Sequence, residues 1–450
     1  MILLISSLLL ATTTAPVARA WDMHSYSWSA VPEDCRHITP FLWFTKDSDP
    51  AKIAADSLKK PPGHRVLFSW DMHAGLLSDP GDVCRTPDGQ PTKFQGVWPE
   101  KGIEATRAKF DDFFRKFKAA GGQMDLLILD SEGNFSNWVI GGMDKKDYWL
   151  AIQNDPRFAG LSKALGFTDL FTVANFFSGR NYLKWNAVMA AAVDDALNRA
   201  VFLPARKYFP AVRGSNYGSC VMTEANVVPD LNGHMQWSET TPPGSYQAPS
   251  FYTWINQLAG RQLDGKRPFG QSPFAGLLLT LNGMRANVRS SRIPVTPWVA
   301  WQRYSGDGPG APPATVANTP FYREMIYHLA LSGSVHLLFW NPHPWIATQD
   351  TETMSTARDE RLLDGILDQL TSALAGNDRE CLTLSPIPWG ATYIATAMRI
   401  DKRVLWRFTF APGTEKVSAT LDGKPVVIAP EPGEVGAWFS HPAGKRLVLN

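Results

Sequence analysis

The sequence predicts an α/β fold: a (β/α) barrel of the TIM type, distorted rather than regular, with a small antiparallel β-sandwich after it. Three observations lead there. Apolar strand-like runs alternate with longer helical patterns from about residue 37 to 345, no early run is followed by a phosphate-binding turn, and beyond residue 375 the spacing shortens to strands divided by turns. Alternating strand and helix implies a parallel sheet, and this many units implies a barrel. A doubly wound open sheet is the alternative. It normally carries a Gly-rich turn after an early strand, whereas the first run here leads into TKDSDP and the second into DMHAGLL.

The strand-like runs, in order, are residues 38–44 (ITPFLWF), 66–71 (VLFSWD), 126–130 (LLILD), 209–217, 295–301 and 335–340. Between them lie helical patterns at 102–120, 185–202, 274–288 and 321–331, and in the first of these Ile103, Phe110, Phe113, Phe114 and Phe117 share one face. After a helix at 360–375 come short runs at 391–400, 403–410, 417–421, 426–429, 437–439 and 446–449, with Asp422-Gly423 and Pro430-Glu431-Pro432-Gly433 as turn signals. The expected division is therefore 21–375 for the barrel and 380–450 for the sandwich. Residues 21–24 and 70–73 both read WDMH, an echo too short to be a repeat unit.

The 450 residues are 44% hydrophobic and 19% charged, a globular composition that excludes disorder and coiled coil. A formal net charge of +2, with no block of like charge, argues against nucleic-acid binding. The 17 Trp against 11 Tyr are unusual, because an indole needs a partner for its N–H whereas Leu, Ile or Val fill a core without one. Indoles also suit the apolar faces of sugar rings. Core packing and sugar stacking are both open to them.

Residues 1–20 hold an apolar run from Ile2 to Leu10 and end in Ala18-Arg19-Ala20, the pattern of a signal peptide with an A-x-A cleavage site. The run is far short of the roughly 20 residues that span a bilayer, so the expectation is a secreted or periplasmic monomer without membrane insertion. Cys35, Cys84, Cys220 and Cys381 are an even number in an exported chain and allow two disulfides in three connectivities. Cys35 precedes the first run and Cys84 follows the second, which favours pairing those two. Their spacing fits no zinc motif, and His24, His37, His64 and His73 follow no ligand spacing, so neither metal nor cofactor is expected. No nucleophile elbow is present.

Barrel enzymes keep their chemistry at the C-terminal ends of the strands. The sharpest strand end is in MDLLILDSEGNFSNW, residues 124–138, where Asp130 and Glu132 stand two positions apart and so point to one side of the strand. Two adjacent carboxylates do not both ionise cheaply, which leaves one protonated near neutral pH, as a general acid for glycosidic oxygen must be. Glu132 is then the acid and Asp130 its orienting and tuning partner. Candidate substrate-binding residues at other strand ends are Asp71, Tyr217, Trp301, Tyr304, Trp340 and Asn341, with Glu224 in the loop CVMTEANVV as a second carboxylate if two protein acids are used. Taken singly, each aromatic suits barrel packing as well as substrate stacking.

In the order of these features the chain resembles the hyaluronidase family of glycoside hydrolases. The residues concerned are VLFSWDMHAGLLSDPGD at 66–82, FDDFFRKF at 110–117, LLILDSEGNFSNW at 126–138, FPAVRGSNYGSC at 209–220, VTPWVAWQRY at 295–304 and LLFWNP at 337–342. The resemblance implies a distorted barrel that cleaves a polysaccharide containing N-acetylhexosamine, with the substrate's own acetamido oxygen attacking the anomeric carbon. It also implies Glu132 as acid, Asp130 as its assistant, Tyr217 positioning the acetamido group, and Trp301 and Trp340 walling the subsite. Where the family carries Trp-Arg-Pro close behind the acidic pair, this chain has Gly133 to Asn137 before Trp138. The near-neutral charge argues against a strongly anionic substrate. Two other readings stay open: a two-carboxylate glycosidase acting on a sugar without an acetamido group, and a non-catalytic carbohydrate-binding protein on the same scaffold.

Overall fold

The computed structural model describes residues 24–27, 31–69, 81–96, 98–129, 146–159, 195–216, 246, 248–249, 251, 273–290, 294–300, 320–340, 356–388 and 390–449. In chain order the strands of the first part are β1 (His24–Ser27), β2 (Ile38–Pro40), β3 (Leu42–Phe44), β4 (Val66–Ser69), β5 (Val83–Arg85), β6 (Pro91–Gln95), β7 (Leu126–Leu129), β8 (Arg213–Asn216), β9 (Trp298–Ala300) and β10 (His336–Trp340). The helices are α1 (Pro50–Leu58), α2 (Glu100–Ala119), α3 (Lys146–Asn154), α4 (Leu203–Tyr208), α5 (Pro273–Ser290), α6 (Pro320–Leu331) and α7 (Thr356–Ala373). Strands β11 (Arg379–Cys381), β12 (Tyr393–Ile400), β13 (Arg403–Phe410), β14 (Val417–Leu421), β15 (Lys424–Ile428), β16 (Gly436–Pro442) and β17 (Leu447–Leu449) complete the chain.

Two four-stranded parallel sheets with helices between their strands make this an α/β protein. Their orders are β2-β1-β10-β9 and β3-β4-β7-β8. They adjoin at two places. The run 38–44 passes from β2 in one sheet to β3 in the other through Phe41. On the far side, Tyr246 N–H donates to Gly214 C=O of β8 (3.1 Å), Trp298 N–H of β9 donates to Pro249 C=O (2.8 Å), and Phe251 N–H donates to Trp298 C=O (3.0 Å). The last two bonds are the pair that a parallel ladder makes around one residue.

Side-chain alternation separates an inner from an outer face. Val66, Phe68, Leu126 and Ile128 join the cluster that holds Tyr26, Phe41 and Trp298, residues drawn from both sheets. Phe68 and Trp298 meet edge to face at 5.8 Å, and Phe41 touches both, at 5.2 and 5.7 Å. Leu67, Leu127 and Leu129 face the other way, onto Phe110, Phe113, Phe114 and Phe117 of α2. That phenylalanine stripe is the face expected from the sequence. Phe44 stacks on Phe113 at 4.7 Å, and Phe114 lies 5.5 Å from Phe113 and 5.9 Å from Phe110.

The C-terminal part is antiparallel: one sheet in the order β11-β12-β13-β16 and another in the order β15-β14-β17. Phe408 and Phe410 of β13, Ala437 of β16, Val417 of β14 and Ile428 of β15 share one buried cluster, so the two sheets pack on each other. Asp401 and Asp422 hold positive φ at the tight turns joining β12 to β13 and β14 to β15.

The structure corrects several expectations. Cys35 and Cys381 are free thiols, so Cys35 is not joined to Cys84. Cys84 is buried in the β5–β6 hairpin, where burial pushes its thiol up to about 12, while Cys35 lies beside α7, next to Asp34, which pairs with Arg361. The pattern expected as a helix over 185–202 is described from residue 195, continues through a π turn (Asn198–Phe202) and ends in α4, so the strand expected from 209 begins only at Arg213. Of the WDMH echo only His24, which opens β1, lies within the described residues. Residues 1–20 and Cys220 lie outside the described residues, among which no helix is long and apolar enough to cross a membrane.

The Phe stripe of α2 generates a prediction. Phe114→Ala is expected to lower unfolding stability by about 3–5 kcal/mol, the usual loss for a buried ring. Urea denaturation of the two proteins checks this, and a difference under about 1 kcal/mol would mean that α2 does not depend on the stripe.

Candidate functional site

Most of the residues that the sequence singles out lie outside the described residues: Asp71, Asp130, Glu132, Tyr217, Glu224, Trp301, Tyr304 and Asn341. Of Trp340 only the backbone is described, as the last residue of β10. The strands that lead to them are well defined. β7 lies between β4 and β8, and Leu129 is in register with Ser69 on one side and Asn216 on the other. The next positions in the sequence, Trp70, Asp130 and Tyr217, thus follow three matched ends of one parallel sheet.

The parity of the inward side chains sorts the candidates. In β7 the inward residues are Leu126 and Ile128, the parity shared by Asp130 and Glu132. In β8 the Ser215 hydroxyl donates to Tyr246 C=O (3.0 Å) and the Arg213 guanidinium lies over the Tyr246 ring at 5.6 Å; Tyr217 continues that parity. In β10 His336 meets Tyr26 at 5.5 Å and Tyr246 at 5.1 Å. Asp71 and Trp301 have the opposite parity, counted from Phe68 and Trp298. Trp70 has the inward parity, and counting in twos from Phe68 finds it in the sequence.

The chain leaving β4 and the chain leaving β7 are tied together farther out. Val83 to Gln95 form the β5–β6 hairpin, and Asp155 and Arg157, just past the end of α3 at Asn154, reach it. The Arg157 guanidinium donates to Asp82 (2.6 Å), to Val83 C=O (2.8 Å) and to both carboxylate oxygens of Asp155 (2.9 and 2.7 Å), and it lies 4.4 Å over the Trp98 ring. Asp155 also accepts from Arg85 N–H (2.7 Å) and Arg157 N–H (2.9 Å), and Asp82 from Trp98 N–H (2.7 Å). Burial opposes ionisation of Asp155, but these hydrogen bonds outweigh it and hold the carboxyl below its ordinary range. Nothing in the sequence marks this clamp, because its partners are 75 residues apart.

At the opposite, N-terminal ends of the strands the polar groups close the structure. The Asp125 carboxylate accepts from Gly63 N–H (2.8 Å) and Arg65 N–H (3.1 Å), and the Tyr26 hydroxyl donates to Gly63 C=O (2.9 Å). A groove lined by Asp378, Arg379, Glu380, Arg399, Asp401 and Lys402 lies in the antiparallel part, where Arg399 pairs with Glu380 and Asp401 accepts from the Asn377 and Asp378 N–H groups. Among the described residues no three His, Cys, Asp or Glu side chains are grouped to hold a metal.

No family model matches the chain, and no curated protein matches it. The solved structures similar to it are glycoside hydrolases. A family 30 endoxylanase from Clostridium papyrosolvens aligns over 96% of this chain and 97% of its own, at 8% identity and a TM-score of 0.37. A family 30 subfamily 8 xylanase from Clostridium acetobutylicum aligns over 96% and 97%, at 10% identity and a TM-score of 0.33. A family 5 glycoside hydrolase from Bacteroides vulgatus aligns over 83% and 92%, at 13% identity and a TM-score of 0.26. At these scores the functional reading rests on the chain's own residues.

Arg157→Met should cost about 3 kcal/mol, the low end for breaking a buried pair, since Arg157 is a third exposed and Asp82 and Asp155 are not. The folded pKa of Asp155 is depressed, so its contribution is present above the usual carboxylate range and lost as pH falls through the depressed value. The gap between wild type and variant in chemical denaturation should therefore narrow below about pH 3.8; a gap constant from pH 7 to 3 would contradict the clamp.

Proposed function

We propose that the chain is a secreted or periplasmic glycosidase that cleaves a polysaccharide, with Glu132 as the general acid and Asp130 as the partner that orients and tunes it. One observation supports the reading: β7 lies inside the parallel sheet with Leu126 and Ile128 facing the inner cluster, and the acidic pair comes next in the sequence after its last described residue, Leu129. A carboxyl pair there, with Trp70 and Tyr217 next in sequence after the neighbouring strands β4 and β8 and Trp340 closing β10 of the other sheet, suits protonation of a glycosidic oxygen against a ring-lined wall. The leading mechanism is retaining and substrate-assisted, on a glycan containing N-acetylhexosamine, with Tyr217 at the acetamido group.

The same reading joins the two parallel sheets into one eight-stranded (β/α) barrel, residues 246–251 serving as the strand between β8 and β9. The continuous run 38–44, the hydrogen bonds of Tyr246, Pro249 and Phe251, and the shared inner cluster support closure. The sheets after residue 380 form a β-sandwich braced against the barrel. Export follows from the A-x-A pattern of residues 1–20.

Glu132→Gln should reduce hydrolysis at least about 100-fold while leaving sugar binding largely intact. The check is product mass analysis on a panel of acetamido and non-acetamido polysaccharides, with binding followed by calorimetry. Wild-type turnover by the variant removes Glu132 as the acid, and cleavage confined to glycans without acetamido groups removes substrate assistance. Asp130→Asn should lower the rate and shift its acidic pH limb; an unchanged limb would mean that the two carboxyls are not coupled.

A further inference from the structure

Helix α6 carries Glu324 and His328, one turn apart, with no exposure at all. Both face the antiparallel strands. Arg407 of β13, 2% exposed, donates to Glu324 through Nε (2.7 Å) and Nη2, and its guanidinium lies between the Tyr327 and Trp438 rings, 5.0 Å from each. The Thr409 hydroxyl donates to Glu324 Oε2 at 2.6 Å. Its one proton is thereby used, so at 2.8 Å it accepts from His328 Nε2–H. Nδ1 of the neutral ring is then an acceptor, and the Thr396 hydroxyl of β12 donates to it at 2.7 Å. Thr396 in turn accepts from Arg285 Nη2 of α5 at 3.0 Å. Every proton in the chain Arg285, Thr396, His328, Thr409, Glu324 has one assigned direction.

Packing around the relay leaves no slack. A Cβ built on Gly436 of β16 would stand 2.6 Å from Glu324 Oε2 and 2.7 Å from Arg407 Nη2, so the strand approaches as close as only a glycine allows. The same helices hold the chain that enters the antiparallel part: Asn282 donates to Ile387 C=O (2.9 Å) and accepts from its N–H (2.7 Å), and Arg285 donates to Ser385 C=O and Ala395 C=O, each at 2.8 Å.

We propose that this relay is an acid-released latch: with His328 neutral it holds the antiparallel sheets against α5 and α6, and proton uptake by His328 releases them. A second proton on the ring would turn Nδ1 from acceptor to donor, leave the Thr396 proton without its acceptor, and set a cation between Arg285 and Arg407. The other charges packed around it are Glu431, 3.6 Å from Arg407, the Arg323–Glu434 pair, and Cys381 beside Arg285. Glu324 is already engaged by Arg407 and Thr409. Burial, with the Arg407 and Arg285 charges nearby, keeps the imidazole well below its ordinary 6.5. The released state takes up the proton first, so the latch is whole above pH 6.5 and weakens as pH falls below it, by up to about tenfold in the docking equilibrium per pH unit.

Hydrogen exchange of the full-length protein from pH 7.5 to 5 tests the latch, with rates corrected for intrinsic exchange. Protection of the β12 and β13 amides should fall below pH 6.5 in the wild type and stay level in His328→Gln. Equal slopes in the two proteins, or no change in the wild type, would overturn the proposal. Should the variant not fold, nitrogen-15 spectra of the wild-type imidazole, assigned through contacts to the Thr396 and Thr409 methyls, decide instead. A neutral Nε2–H form persisting below pH 6 upholds the latch, and an Nδ1–H or charged ring refutes it.

Discussion

Phe41, Phe68 and Trp298 hold two sheets to a single interior, and the remaining architecture is arranged around that contact. The parallel strands are three to five residues long, shorter than the usual strand, and each four-stranded sheet taken alone would expose unpaired edges. Rings of this size, meeting edge to face across the sheets, bury far more surface than the short ladders do. With the inner face filled, the outer face is free to receive helices, and the phenylalanines of α2 occupy it beneath β3, β4 and β7. The indole of Trp298 is thus structural. So are those of Trp98, which lies under Arg157, and Trp438, which lies against Arg407. For these three of the many tryptophans, packing rather than sugar contact is the answer.

Two described segments that follow adjacent strands in the sequence meet each other. One is the β5–β6 hairpin, after β4; the other is α3 and the residues just past it, after β7. Arg157 joins their far ends with a planar donor fork that matches two carboxylates and a carbonyl at once, a geometry that a lysine cannot reproduce. Trp98 closes its open face. One cation thus fixes the described ends of two segments that follow adjacent strands in the sequence.

Most parallel strands were legible because they are apolar runs rich in aromatic and β-branched residues, and the Phe spacing of α2 declared its buried face. Strand β1, HSYS, was not, because two pairing neighbours rather than its own composition make it a strand. Residues 246–251 were missed for a related reason: with Pro249 in the middle, only three backbone bonds give them a strand-like role. The β5–β6 hairpin is polar and short, and its identity comes from Asp155 and Arg157. The strand that precedes the acidic pair was legible as the apolar run LLIL, while the pair itself lies outside the described residues. The second strand, expected to run to Asp71, is described only to Ser69. The Glu324–Arg407 pair went unmarked because 83 residues separate its partners.

Helix α6 is buried on nearly every side: of the residues from Phe321 to Leu331 only Arg323 escapes. A helix on the rim of a parallel sheet ordinarily keeps one wet face, which lets the scaffold exist with or without appendages. Here the wet face has been surrendered to the antiparallel sheets. The C-terminal part is accordingly not a cassette that gene fusion could append or remove, since a lineage that lost it would have to re-invent a solvent-compatible α6 in the same step. The two parts of this chain are bound to evolve as one unit.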